Sequence, residues 1–317
     1  MNYRNWFAYN YLEQAIGSRL YGVNVGVNIL GNGHCNLHCP SCPVENFAFP
    51  KAGLMDIATF RKVLDKLERE LVIRNLWLSE YSEPLLHPNC HEFVQELTNR
   101  GMTSFISSHL NNLLRIDKVF DAGLKKLRIS LSGFTQEFYG YYHGGDIERV
   151  KKNMVAISKM PHQAEVTVYF HKYKDNQHEL PLMRDYAHSL GFKFESCFAY
   201  YRPLEKALDY VNGVPIPDKD RALIERLNHS IPETLERARK TKTPCRGYSK
   251  HLEILSDGTV PVCCHTVYED NKLKINGKKL SFLDTPLAVI RKIQREMPIC
   301  DGCIKKGFHV VLFHDVA

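Results

Sequence analysis

Residues 22–30 read Gly-Val-Asn-Val-Gly-Val-Asn-Ile-Leu, and residues 35–42 read Cys-Asn-Leu-His-Cys-Pro-Ser-Cys. The first is a short apolar run rich in β-branched side chains and predicts a strand. The second sets Cys35, Cys39 and Cys42 in the spacing C-x3-C-x2-C directly after it. Three thiolates so close in sequence can converge on one metal site. They are one short of the four that close a zinc site, and they suit a [4Fe–4S] cluster with one iron open to another ligand. A zinc knuckle completed by His34 or His38 is the alternative.

Working downstream, Asp56 is placed to cap a helix with the apolar face Ile57, Phe60, Leu64, Leu67 and Leu71. Further strands are expected at 75–79, 103–108, 126–131, 165–170 and 192–199. Helices are expected at 91–99, 116–122, 146–159 and 177–189, with Gly101 free to end the first of these in the left-handed conformation. Strands alternating with helices predict an α/β fold with a parallel sheet and helices outside. Right-handed crossovers would curl it into a partial (β/α)6 TIM-like barrel, whose chemistry gathers at the carboxyl ends of the strands. Upstream, Trp6, Tyr9, Leu12, Ile16 and Leu20 stand at helical spacing and predict a leader helix. The chain thus divides into a leader (1–21), a barrel (22–200), a proline-bearing connector with a helix near 218–229 (201–242) and a C-terminal module (243–317).

With 44% hydrophobic and 24% charged residues in 317, the chain is composed like a globular protein. No apolar run approaches the roughly 20 residues of a membrane span. The N-terminus shows neither an uninterrupted apolar segment nor a small-residue cleavage pattern, so a cytoplasmic location is expected. There the ten cysteines stay reduced, and seven of them in tight groupings point to metal rather than disulfides. The formal charge of +7 permits an anionic substrate. No basic block interleaved with aromatics is present, so nucleic acid is not expected as a partner. There is no P-loop and no G-x-G-x-x-G.

The second group is Cys245, Cys263, Cys300 and Cys303. Four cysteines close a tetrahedral sulfur site, which by geometry means zinc or iron–sulfur. Between them, 252–255 and 260–262 flank Ser256-Asp-Gly-Thr259, a hairpin signal.

The order of motifs along 22–200 resembles the radical S-adenosylmethionine enzymes, whose hallmark is C-x3-C-x2-C after the first barrel strand. Ser41 stands where members often carry an aromatic residue. Ser79-Glu-Tyr-Ser82-Glu83-Pro84-Leu85-Leu86-His87-Pro88 resembles their Glu-Pro segment after the second strand, with Ser82 in place of the usual glycine. Phe105-Ile-Ser107-Ser108-His109-Leu110 stands where many have Ser-Thr-Asn-Gly, and the His-Leu pair departs from that pattern. Leu127-Arg-Ile-Ser130-Leu-Ser132-Gly133 resembles the fourth-strand segment. The resemblance implies S-adenosylmethionine as cofactor, contacts to it from Ser82, Glu83, Ser108, Ser130 and Ser132, and an open [4Fe–4S] cluster on Cys35, Cys39 and Cys42. It further implies reductive cleavage to a 5′-deoxyadenosyl radical and an external electron donor such as flavodoxin or ferredoxin. Ser256-Asp-Gly-Thr-Val-Pro-Val-Cys263-Cys264 and Pro298-Ile-Cys300-Asp-Gly-Cys303 resemble the auxiliary-cluster module of the SPASM/twitch group. In its shorter form this holds one auxiliary [4Fe–4S] cluster, here on Cys245, Cys263, Cys300 and Cys303.

Within that group, enzymes oxidise or epimerise carbohydrate-type small molecules or modify ribosomal peptides. The roughly twenty residues before the first strand are short for a peptide-recognition domain, which points to a small molecule, anionic or carbohydrate. Cys264 is a candidate hydrogen-atom donor for epimerisation, or a packing residue. Cys90 and Cys197 are expected as buried apolar residues. Residues 200–206 face substrate or form a surface connector. A non-catalytic module with zinc at both sites is the remaining alternative.

Overall fold

The computed structural model describes residues 22–43, 53–241 and 243–313. The leader helix expected at 4–21 lies outside them.

Strand β1 (Val23–Val27) begins the fold and alternates with helices throughout. Helix α1 (Ile57–Glu70) starts where Asp56 accepts from Thr59 N–H at 2.8 Å, and it buries Phe60, Val63, Leu64 and Leu67. There follow β2 (Ile73–Trp77), α2 (Cys90–Asn99), β3 (Ser104–Ser108), α3 (Ile116–Asp121) and β4 (Lys126–Leu131). Gly101, with φ of 68°, follows α2 as expected. Next come α4 (Gln136–His143), α5 (Ile147–Ser158), capped by Asp146, then β5 (Glu165–Lys172), α6 (Leu180–Ser189) and β6 (Lys193–Phe198). The six strands pair in chain order, all parallel, as an open sheet. Its outer face packs on the helices through one core that includes Leu76, Ile106, Ile129 and Val168. This is the partial barrel that the alternation of apolar runs predicts.

Two expectations need correction. The connector carries three helices rather than one: α7 (Leu204–Val211), α8 (Asp218–Glu225) and α9 (Ile231–Lys240). Their apolar residues, among them Leu204, Leu223 and Leu235, form a second core with Tyr142, Tyr173 and Phe308. The hairpin at 252–262 is also not formed as expected. After a short helix, α10 (Gly247–Lys250), the strand β7 (His251–Ile254) leaves the turn and pairs in parallel with β1 as the seventh strand of the sheet. The turn itself is present, with Gly258 at φ of 75° and Leu255 N–H bonded to Thr259 O at 2.9 Å. The arm beyond it bridges Lys272 and Ser281 instead. A small ribbon, β8 (Lys274–Ile275) with β9 (Lys278–Lys279), then leads to α11 (Leu287–Glu296), α12 (Pro298–Lys306) and α13 (Phe308–Phe313).

The C-terminal part is tied to the barrel and the connector at three further points. The Glu205 carboxylate accepts from Val267 N–H, Tyr268 N–H and Asn271 Nδ2 at 2.8–2.9 Å. Glu70, at the end of α1, accepts from Leu287 N–H at 2.8 Å, meeting the first free donor of α11. Tyr81 O–H donates to the Cys264 carbonyl at 2.7 Å. No helix among the described residues is long and apolar enough to cross a membrane.

Candidate active site

A cavity of about 760 Å3 opens at the carboxyl ends of the strands, where a barrel of this kind places its chemistry. Cys35, Cys39 and Cys42 line it, as do Ser82, Glu83, Ser108, Ser130 and Ser132. Cys263 and Cys264 reach it from the C-terminal part. The sheet and the tail therefore build one site.

Glu83 organises the near wall. Its N–H donates to His34 O at 2.9 Å, holding the cysteine loop. Its buried carboxylate accepts from Leu85 N–H at 3.3 Å and His109 N–H at 3.0 Å. His109, which the sequence left without a role, closes this network. Its Nδ1 accepts from Asn111 N–H at 3.0 Å, so in the neutral ring Nε2 carries the proton. That Nε2 lies 3.0 Å from Asn36 Oδ1, between the first two cysteines, and 3.2 Å from Glu83 Oε2. No spacing rule could reveal it, because its partners belong to other loops.

Just past the fourth strand, Ser132 Oγ lies 2.9 Å from His143 Nε2. The other ring nitrogen of His143 meets Cys39 Sγ at 3.6 Å. Burial, reinforced by His171 and His109, lowers the His143 pKa to about 3, so the ring is neutral. Ser132 thus reaches a cysteine through this ring. Ser108 Oγ accepts from Leu110 N–H at 3.0 Å. Ser130 lines the cavity half-buried. The Ser82 hydroxyl is buried with no hydrogen-bond partner among the described residues.

These residues fit a cationic cluster and a polar ligand beside it. The Cys35 thiol is pushed up to about 11, chiefly by burial and further by the charges of Glu83 and Cys42, while Leu37 N–H donates to its sulfur at 3.5 Å. Such thiols ionise when a metal neutralises them. The orphaned Ser82 hydroxyl offers a bond to a ligand in the same cavity. The second group behaves alike. Burial raises the Cys245 thiol to about 11, and Cys263, Cys300 and Cys303 are raised by burial too. Cys245, Cys263 and Cys303 also feel the charges of others in the group, so the four lie in one neighbourhood. Among the described residues, no three His, Cys, Asp or Glu side chains already form a single-ion site.

Cys264 lies beside Cys263 on the cavity wall, and burial, then Glu80, Cys263 and Glu253, hold its thiol protonated. Cys90 is buried in the core as expected, but Cys197 is only half-buried, lines the cavity and faces Tyr169. Tyr200 and Arg202 face the cavity rather than forming a surface connector. Sequence reasoning passed over Glu80 and Glu253. Glu253, on β7, sits opposite Gly26 of β1 and fills the space a side chain there would take.

No family model matches the sequence. A curated relative, the tungsten-containing aldehyde ferredoxin oxidoreductase cofactor-modifying protein of Pyrococcus furiosus, is 26% identical over 168 residues, 50% of this chain and 46% of that protein. The chain thus spans about half the length of that relative. Streptococcus suis SuiB bound to S-adenosylmethionine superposes with a TM-score of 0.59 at 11% identity, covering 88% of this chain and 67% of SuiB. BtrN, in complex with AdoMet and 2-DOIA, superposes with a TM-score of 0.50 at 12% identity, covering 90% of this chain and 87% of BtrN. The open parallel barrel, the cysteine loop after its first strand, the ordered strand-end motifs and these likenesses identify the chain as having the radical S-adenosylmethionine fold.

Proposed function

We propose that the protein is a radical S-adenosylmethionine enzyme acting on a small molecule held in the barrel cavity. The observation that carries this reading is the shared cavity: three cysteines of one loop, Glu83, the orphaned Ser82 hydroxyl and the Cys263–Cys264 pair all face it. Cys35, Cys39 and Cys42 would hold a [4Fe–4S] cluster. Ser82, Glu83, Ser108, Ser130 and Ser132 would hold S-adenosylmethionine beside it. Bound together and reduced by an external donor such as flavodoxin or ferredoxin, they would supply the radical chemistry of 5′-deoxyadenosyl for hydrogen-atom abstraction from substrate.

The chain's own residues then set the outcome. Glu83 and His109 keep the cysteine loop in register with the second and third strands. The strand ends, the cysteine loop and the C-terminal part line the cavity and would restrict water around a reactive species. Cys245, Cys263, Cys300 and Cys303 would hold an auxiliary [4Fe–4S] cluster near the cavity, suited to accepting an electron during dehydrogenation. Cys264, kept as a thiol, would return a hydrogen atom in epimerisation, and one electron from the external donor with a proton from solvent would restore the thiol from the thiyl radical left behind. The likeness to BtrN, whose complex holds 2-DOIA, supports a carbohydrate or aminocyclitol substrate. The likeness to SuiB, also solved with its precursor peptide SuiA, supports peptide modification as the second reading.

Anaerobic reconstitution with iron and sulfide tests the proposal. A brown protein that releases 5′-deoxyadenosine with a strong reductant is expected, and Cys35→Ala, Cys39→Ala and Cys42→Ala together should abolish it. A colourless protein that binds only zinc would overturn the reading. Solvent deuterium in the product, lost in Cys264→Ala, selects epimerisation over oxidation.

A further inference from the structure

Arg128 projects from β4 into the cavity, and its guanidinium lies over three rings: Trp77 at 4.9 Å, Phe105 at 5.0 Å and Tyr169 at 4.2 Å. The rings come from β2, β3 and β5, on both sides of its own strand. They hold the charged plane by cation–π attraction, and none of its five N–H donors is used by a described residue. No hydrogen bond or ion pair joins Arg128 to any described residue, whereas Arg61, Arg100 and Arg226 each close on a carboxylate. Arg202, over Tyr81 at 5.9 Å and Tyr200 at 5.2 Å, is likewise held by rings without such a bond.

The local charge does not cancel. Burial pushes the Glu80 carboxyl toward its neutral form, and Arg202 and then Arg128 oppose this through space. The other buried carboxyl on this wall, Glu253, is pushed toward its neutral form by burial and by Glu80. Two guanidinium groups beside two carboxyls that burial pushes toward neutrality leave the wall positive. A half-buried guanidinium with open, coplanar donors is matched by a carboxylate or phosphate, which accepts two of them at once.

Position separates Arg128 from the cofactor segment. It precedes Ser130 by two residues and Ser132 by four on or just past the same strand. At a rise of about 3.3 Å per residue, that is roughly 7 and 13 Å deeper in the barrel. We propose that Arg128 anchors an anionic group of the substrate, a carboxylate or a phosphate, on the inner side of the cofactor site. The assignment rests on the reading of this cavity as the substrate site and narrows its substrate class.

Calorimetric titration of the anaerobically reconstituted full-length protein, with S-adenosylmethionine present, tests it. Inorganic phosphate, acetate and glycerol are the probes. One of the two anions should bind at one per chain and glycerol should not; which anion binds distinguishes phosphate from carboxylate. Arg128→Gln should weaken that binding tenfold or more, and Arg128→Lys, which keeps the charge without the fork, by less. Thermal melting establishes that each variant is folded, and should Arg128→Gln not fold, Arg128→Lys against wild type carries the comparison. Binding of neither anion, or equal binding by the variants, overturns the proposal. A loss confined to S-adenosylmethionine affinity overturns it too, since the guanidinium would then serve the cofactor. Phosphate or acetate binding requires no turnover. A protein that binds the anion through Arg128 yet forms no 5′-deoxyadenosine would keep the anion site and sink the radical reading.

Discussion

At the residue scale, the site is held by side chains whose partners lie far away in sequence. His109 joins the third strand end to Asn36 in the cysteine loop and to Glu83 after the second strand. Outer hydrogen bonds of this kind typically change metal retention by 10- to 100-fold. His109→Leu should therefore speed iron loss to a chelator by about tenfold or more, with His109→Gln closer to wild type. Equal rates would mean that the loop holds itself. His171 gives a second prediction. Burial first, then Arg202, lowers its pKa from 6.5 to about 4 in the fold, and its Nδ1 faces the Leu131 carbonyl at 3.3 Å. The unfolded chain therefore takes up a proton between pH 6.5 and 4 that the folded ring refuses. The neutral ring's contribution is complete above pH 6.5 and is lost as pH falls toward 4. His171→Gln should flatten the acid side of the stability profile in that window, measured by urea unfolding at a series of pH values. A profile of unchanged slope would refute this. The three cysteines and the Glu-Pro segment were legible because their chemistry is local. His109 and Arg128 were not, since a histidine or arginine gains its role from neighbours on other strands.

At the scale of elements, amphipathic helices and apolar strands were readable from one stretch at a time. The Asp56 cap and the 126–131 strand agree with the structure for that reason. β7 was misread because the Asp-Gly turn is a local signal, while the partner of β7 is β1, at the other end of the barrel. A trace of that pairing lies in Gly26. A Cβ there would come within 1.9 Å of Glu253 Oε2 and 2.6 Å of its Cδ, so the strand opposite Glu253 needs a residue without a side chain. Gly26→Ala should force the buried carboxyl to move and destabilise the fold by about 1–3 kcal/mol, the range for overpacked cores. Glu253→Ala in the same chain should recover most of that, which makes the coupling between the two positions visible in a double-mutant cycle. A Gly26→Ala protein as stable as wild type would show that Glu253 swings into the cavity at no cost.

At the scale of the whole molecule, the C-terminal part is a wall of the barrel rather than an appended domain. It supplies the edge strand, places Cys263 and Cys264 on the cavity, and is bonded to Glu70, Tyr81 and Glu205. A chain ended after residue 241 would lose β7 and expose the hydrogen-bonding edge of β1, whose Val23, Val25 and Val27 are fully buried in the complete fold. An open, apolar parallel edge pairs readily with another copy. The shortened chain should therefore aggregate or lack a cooperative melt, and the full chain should unfold in one transition. Cys245→Ser with Cys300→Ser probes the same coupling without removing the strand. If metal at the second cysteine group stabilises the part that carries β7, losing it should lower the melting temperature of the entire molecule. Two separate transitions in the full chain, with only the smaller one shifted by these substitutions, would show instead that barrel and tail fold independently despite sharing a sheet.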